Sequence, residues 1–177
     1  MAIVVCFSGR IGSGKTSVSR AVANKINGVW TGFGDLMRSE AIARLLDPDS
    51  REVLQDLGAQ LIQEHGNTWL CEQVIARAKW DGAKPLIIDG VRHVSILDEL
   101  RGLLGSHQVL LVHLDLRDGV ERSRDLDQIS RSSAEQHSTE QDVIKSLPQR
   151  ASLIVSADLP LEQVVDQIVE YLDSPLT

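Results

Sequence analysis

The stretch Cys6-Phe7-Ser8-Gly9-Arg10-Ile11-Gly12-Ser13-Gly14-Lys15-Thr16-Ser17 runs from an apolar segment into three glycines, a lysine and a threonine. The residues leading into it, AIVVCFS (2–8), are short, β-branched and apolar, the pattern of a buried strand. The residues after it, KTSVSRAVANKI (15–26), space Val18, Val22 and Ile26 along one helical face. Between strand and helix, Gly9, four residues, Gly14, Lys15 and Thr16 reproduce the Walker A pattern. The order has a physical reason. Glycines let main-chain N–H groups turn inward onto an anion with no Cβ in the way. The helix that follows directs its positive end at the same anion. Gly9, Arg10, Ile11, Gly12, Ser13, Gly14, Lys15, Thr16 and Ser17 are therefore expected to cradle a nucleoside triphosphate. Lys15 would reach its β- and γ-phosphates and the Thr16 hydroxyl would hold Mg²⁺. A glycine-rich turn can match such a pattern by chance, but the strand before and the helix after it are what the mechanism demands. No Asn-Lys-x-Asp follows, so ATP is the expected donor.

Working outward, GVWTGF (28–33) suggests a second strand and DLMRSEAIARLL (35–46) a helix closed by Asp47-Pro48. REVLQDLGAQLIQEH (51–65) puts Val53, Leu54, Leu57, Leu61 and Ile62 on a stripe, with Asp49 and Glu52 at capping-box spacing. Gly66 is expected to stop that helix, and Asn67 or Thr68 to cap the next, WLCEQVIARAKW (69–80). Strands are expected at PLIID (85–89), within HQVLLVHLDL (107–116) and at SLIVSA (152–157). Helices are expected at 93–104, 119–129, 139–147 and 161–172, with Ser138 and Gln141 at cap spacing and a polar loop at 130–138. Strands apolar on both faces belong in a parallel sheet covered on both sides by helices. No repeat or linker divides the 177 residues. A single domain over 1–177 is expected, with a helical insertion at about 35–83 and a short lid at about 125–139.

Bulk composition narrows the class. The chain is 42% hydrophobic and 24% charged, ordinary for a globular protein. No apolar run approaches the ~20 residues that span a bilayer, and the N-terminus lacks a basic leader and cleavage site, so a cytoplasmic protein without a membrane partner is expected. Cys6 and Cys71 read as buried free thiols. With 18 basic and 25 acidic residues the net charge is −7, which argues against a nucleic-acid partner but not against a local basic pocket. The five histidines share no metal spacing. Trp30, Trp69 and Trp80 are expected to serve packing, with Trp30 also placed to wall a base pocket.

Two further motifs carry weight. In Gly34-Asp35-Leu36-Met37-Arg38 a carboxylate and a guanidinium share one side of a helix start. In Asp89-Gly90-Val91-Arg92 the aspartate ends a buried strand, at the carboxyl edge where ligands bind in such sheets, and Arg92 follows three residues on. Each alone reads equally as a cap or turn with a solvated arginine. With the phosphate loop they resemble the P-loop nucleoside-monophosphate kinase group: adenylate kinase and its relatives, including dephospho-CoA kinase and deoxynucleotide kinases. LQDLGAQLIQEHG, IDGVR and ASLIVSAD are similar to a small subgroup described as adenylate-kinase-related or dephospho-CoA-kinase-like.

The resemblance covers nearly the whole chain. It implies a three-layer α/β P-loop NTPase fold: a five-stranded parallel sheet in the order 2-3-1-4-5, helices on both faces, and a helical acceptor-binding insertion. It implies that Arg38 and Arg92 clamp the acceptor phosphate, and that Asp35 and Asp89 join Thr16 in serving Mg²⁺. It also implies an arginine against the donor base or phosphates, Arg122 first and Arg124 second, from a set that includes Arg117 and Arg131. The lid is poorer in arginine than adenylate kinase's. The expected activity is ATP- and Mg²⁺-dependent phosphoryl transfer to a small phosphorylated acceptor, a (deoxy)nucleoside monophosphate first. Alternatives are dephospho-CoA-kinase-like transfer to a hydroxyl, with Asp35 as general base, or an ATP-binding switch acting through a partner. A monomer or homodimer fits equally.

Overall fold

The structure, a computed structural model, describes residues 2–116 and 138–174. The elements run β1 (Ile3–Gly9), α1 (Lys15–Lys25), β2 (Val29–Gly32), α2 (Phe33–Ala43), α3 (Arg51–Arg77), β3 (Leu86–Asp89), α4 (Val94–Leu103) and β4 (Gln108–Asp115). They continue with α5 (Ser138–Lys145), α6 (Leu147–Arg150), β5 (Leu153–Ser156) and α7 (Leu161–Asp173). The five strands form one parallel sheet in the order β2-β3-β1-β4-β5, as expected.

Alternation along the strands divides the core between the two faces. Val4 and Cys6 of β1, Leu86 and Ile88 of β3 and Leu111 of β4 pack with α2, α3 and α4. Val5 and Phe7, Ile87, and Leu110, Val112 and Leu114 pack with α1 and α7. Val164, Val165, Ile168 and Leu172 recur along α7 at helical spacing and form its buried face. Both cysteines are buried and free, and burial pushes each thiol up to about 12. Among the described residues no helix is long and apolar enough to cross a membrane.

Register positions the site. Phe7 pairs with Asp89, Gly32 with Asp89, and Gly9 with Leu114. The carboxyl ends of β1, β2 and β3 therefore meet at one edge, where the phosphate loop, the start of α2 and the β3–α4 turn all emerge. Gly9 is required there. It has φ 147°, and an added Cβ would lie 2.6 Å from the Leu114 carbonyl oxygen.

Local details of α3 correct two expectations. Its N-cap is Ser50, whose hydroxyl accepts from the Val53 N–H at 3.4 Å, instead of the Asp49/Glu52 box. Asp49 lies in a turn whose own N–H is taken by Asp47 Oδ1, so its side chain is one residue too early. Gly66 does break the helical path, with φ 85° and ψ 168°. Neither Asn67 nor Thr68 makes a capping bond, because Thr68 Oγ1 donates to Glu99 of α4 at 2.8 Å and Asn67 Oδ1 is buried without a partner. The chain continues across Gly66 as two helical halves. The expectations on Arg117, Arg122, Arg124 and Arg131, and all but the end of the 125–139 lid, lie outside the described residues.

Candidate active site

At that carboxyl edge a cavity of about 370 Å³ opens between the phosphate loop, α2, the first half of α3 and the β3–α4 turn. Ile11, Gly12, Gly14, Lys15, Thr16 and Ser17 reach it from the loop and α1. Asp35 and Arg38 reach it from α2, and Asp89, Arg92 and His93 from β3 and the turn beyond. The structure thus brings together residues that the sequence places far apart.

The phosphate loop holds the shape its glycines predict. Gly12 and Gly14 have φ 81° and 76°, and Gly14 starts α1 with no side-chain cap. The first N–H groups of α1 are therefore left without a capping side chain at the cavity floor. Lys15 Nζ donates to the Arg10 carbonyl at 2.8 Å, which folds the ammonium back over the loop. Enclosure pushes the Lys15 amine down to about 7, the Arg92 and Arg51 guanidiniums add to this, and Asp89 opposes it. Burial also lowers Arg92 to about 10, with Arg51 beside it, so Arg92 stays a cation at neutral pH. Lys15, Arg51 and Arg92 thus form one positive cluster around the cavity.

Thr16 and Asp89 meet at the cavity. Thr16 Oγ1 donates to Asp89 Oδ2 at 2.7 Å, and Asp89 Oδ1 is buried with no hydrogen-bond partner. A buried carboxylate oxygen without a donor is costly unless something positive or hydrogen-bonding reaches it. Among the described residues no three His, Cys, Asp or Glu side chains cluster to hold a metal by themselves. The donor set therefore suits a hard cation that keeps its waters and takes further oxygens from phosphates, as Mg²⁺ does.

Asp35 sits between two arginines. Arg38 Nη1 donates to its Oδ1 at 2.9 Å and Arg20 Nη2 to its Oδ2 at 3.2 Å. Arg20 belongs to α1 and stacks 3.8 Å from the centre of the Trp30 ring. Trp30 is fixed in turn by its indole N–H, which donates to Ser19 Oγ at 2.9 Å. Trp30 also lines the cavity, so packing and lining are both its work. His93 lies 3.3 Å from Asp142 of α5, tying that helix to the cavity rim.

Sequence reading missed Arg20, Arg51 and Gln55. Arg20 had a signal: it stands one turn after Thr16, on the face of α1 that begins at the phosphate loop. Arg51 and Gln55 had a weaker one, a polar stripe on α3 beside the apolar stripe already noted. Below the loop, His113 of β4 faces Ser8 of β1, with Nδ1 2.9 Å from Ser8 Oγ. Burial lowers His113 to about 4, which keeps it neutral beneath the loop.

Comparison with known proteins agrees with the fold. The sequence model of the family described as chloramphenicol phosphotransferase-like protein matches residues 2–147. A UPF0200 protein of Hyperthermus butylicus is 32% identical over 124 residues, which is 69% of this chain and 64% of that relative's length. A sugar kinase of Janibacter sp. HTCC2649 superposes with a TM-score of 0.59 at 22% identity, covering 98% of this chain and 95% of the other. The shikimate kinase of Aquifex aeolicus gives 0.57 at 16% identity, with 96% of each chain covered. The APS kinase of Mycobacterium tuberculosis gives 0.54 at 16%, with 98% of each covered. The fold is that of P-loop small-molecule kinases. These relatives share the P-loop kinase fold expected from the sequence and do not single out nucleoside-monophosphate kinases.

Proposed function

The chain belongs to the chloramphenicol phosphotransferase-like family, and on that premise we propose that it moves the γ-phosphoryl group of ATP onto a small phosphorylated acceptor, a (deoxy)nucleoside monophosphate first. The observation that carries this reading is the cluster of Lys15, Arg51 and Arg92 around one cavity. Burial and the neighbouring guanidiniums both disfavour the charged form of Lys15, so an anion in the cavity would favour it. Two facing anionic groups, donor and acceptor, would supply that charge.

The roles follow from position. The loop from Gly9 to Ser17 and the start of α1 would bind the triphosphate. Lys15 would leave the Arg10 carbonyl for the β- and γ-phosphates. Thr16 and Asp89 would hold Mg²⁺ through their oxygens and its waters, and the ion would supply positive charge between the phosphates. Arg92 and Arg38 would orient the acceptor phosphate, since a guanidinium matches phosphate oxygens in pairs. Asp35, with both oxygens already accepting from guanidiniums, would aim Arg38. A phosphate nucleophile is already ionised and needs no base.

A second reading has its own support. The family's name refers to chloramphenicol, a neutral alcohol, and Asp35 lines the cavity as a carboxylate able to take a hydroxyl proton. One assay separates the two. ADP release is measured with ATP and Mg²⁺ against nucleoside monophosphates, dephospho-CoA and chloramphenicol, with Lys15→Ala as control. Turnover of a monophosphate that survives Asp35→Asn within about tenfold supports the first reading. Turnover confined to alcohols, with loss of about 10²–10⁴ in Asp35→Asn, replaces it with the second. ADP release indifferent to every small acceptor would sink both.

A further inference from the structure

The part of α3 that lines the cavity carries Arg51, Leu54, Gln55, Gly58, Ala59 and Ile62, a single helical face. Leu57 and Leu61, on the neighbouring face, are buried in the core. The cavity face is graded. It begins with a cation that belongs to the phosphate cluster, offers an amide one turn later, and continues with two small residues and a branched apolar one. One turn of helix is about 6 Å, roughly the reach from a phosphate to the near edge of a ring attached through a sugar.

The amide gives this graded face one polar point. Gln55 Nε2 is buried and has no hydrogen-bond partner. A buried N–H without an acceptor is a net cost to the fold, and buried amides are almost always paired. The side chain borders the cavity, so an occupant carrying an oxygen or nitrogen lone pair at this depth would satisfy it. Gly58 and Ala59 leave the wall shallow beside it, and an added Cβ at Gly58 would meet Met37 Sδ of α2 at 3.5 Å. The space between α2 and α3 at this level is thus thin, suited to a flat group.

We propose that Gln55 selects the acceptor: its amide N–H donates to an in-plane oxygen or ring nitrogen of a planar heterocycle whose phosphate rests toward Arg51 and Arg92. The ligand class is a phosphate ester carrying a flat, hydrogen-bond-accepting ring, not a bare sugar phosphate. This rests on the acceptor-phosphate reading above and adds to it the group that reads the rest of the molecule.

The test measures binding and turnover separately. Affinities of ribose 5-phosphate and of the monophosphates of uridine, cytidine, guanosine and adenosine are measured by calorimetry on the full chain with a non-hydrolysable ATP analogue and Mg²⁺. The wild type is expected to hold at least one nucleotide about tenfold or more tighter than ribose 5-phosphate. Gln55→Leu is expected to reduce that advantage by about tenfold while leaving ribose 5-phosphate within twofold. Gln55→Glu, nearly the same shape but without the donor, is expected to do the same and decides the matter if the leucine variant does not fold. Equal affinity for ribose 5-phosphate and every nucleotide, or a nucleotide advantage unchanged in both variants, overturns the proposal. A nucleotide advantage that depends on Gln55 without any phosphoryl transfer would uphold the proposal while overturning the kinase reading. Transfer with KM values unmoved by either variant would do the reverse.

Discussion

The two ends of the cavity are built by different means. At the end proposed for the donor, one continuous segment does most of the work: β1 delivers the chain to the sheet edge, Gly9, Gly12 and Gly14 shape the loop, and α1 begins at Lys15. Its binding groups would be largely main-chain amides, whose positions follow from backbone geometry. The end proposed for the acceptor is assembled from side chains on α2, α3 and the β3–α4 turn, elements brought together on one face of the sheet. The lesson is one of tolerance. A backbone cradle accepts any side chain that leaves its glycines alone, whereas a side-chain wall can be respecified one residue at a time.

That contrast can be broken or sharpened by measurement. The largest effect is expected at the donor end, where Lys15→Ala should lower the rate of ADP formation by about 10²–10³ while the melting temperature stays level or rises. An active Lys15→Ala enzyme would show that the cradle is not where phosphoryl charge is met. Next, Arg92→Ala should raise the acceptor KM by roughly thirtyfold, about 2 kcal/mol, with a much smaller change in ATP affinity. Equal losses for both substrates would erase the division into two ends.

A third test uses proton linkage. The Lys15 amine stands at about 7, so above pH 7 it is increasingly neutral and must gain a proton to meet a triphosphate. ATP affinity should fall by up to about tenfold per pH unit from 7 toward 9, and calorimetry at pH 8 in buffers of different ionisation heat should show proton uptake. Lys15→Met should abolish both.

The fourth concerns stability below the loop. His113 is lowered to about 4 in the fold against 6.5 when unfolded. As pH falls from 6.5 to 4 the unfolded chain takes up this proton first, so stability is lost across that window and is fully present above it. His113→Gln should flatten the urea midpoint between pH 6.5 and 4. An unchanged acid slope would place the lability elsewhere. The smallest effect is expected from Arg20→Ala, since the pair with Asp35 is half exposed, at 53% and 37%. Losing it and the Trp30 stack should change acceptor KM by less than about fivefold. A hundredfold rise in acceptor KM would instead make the Arg20–Asp35 pair central to acceptor binding.

Capping shows where short-range reading stops. Gly66 was legible because a glycine followed at once by two cap-type residues, Asn67 and Thr68, marks a helix boundary, and it does carry a positive φ. Ser50 and Asp49 are both competent caps for the start of α3, and the hydroxyl that meets the Val53 N–H is that of Ser50. Thr68 went to Glu99 because α3 and α4 lie together on the sheet, a fact no local pattern contains.

By itself, the sequence determined the phosphate loop, the strand order through its resemblance, both core faces and the free thiols. Apart from the strand order, which came through the family resemblance, these depend on periodicity and on glycine at fixed spacing, which are local properties of the chain. Only the tertiary structure decided that Thr16 bonds Asp89, that Arg20 reaches Asp35, and that Arg51 and Gln55 turn to the cavity while Leu57 and Leu61 turn to the core. Such pairings join residues distant in the chain, and their geometry is set by how whole helices dock on the sheet. A side chain's neighbours are fixed by the packing of both its faces, and a periodic pattern specifies only the apolar one.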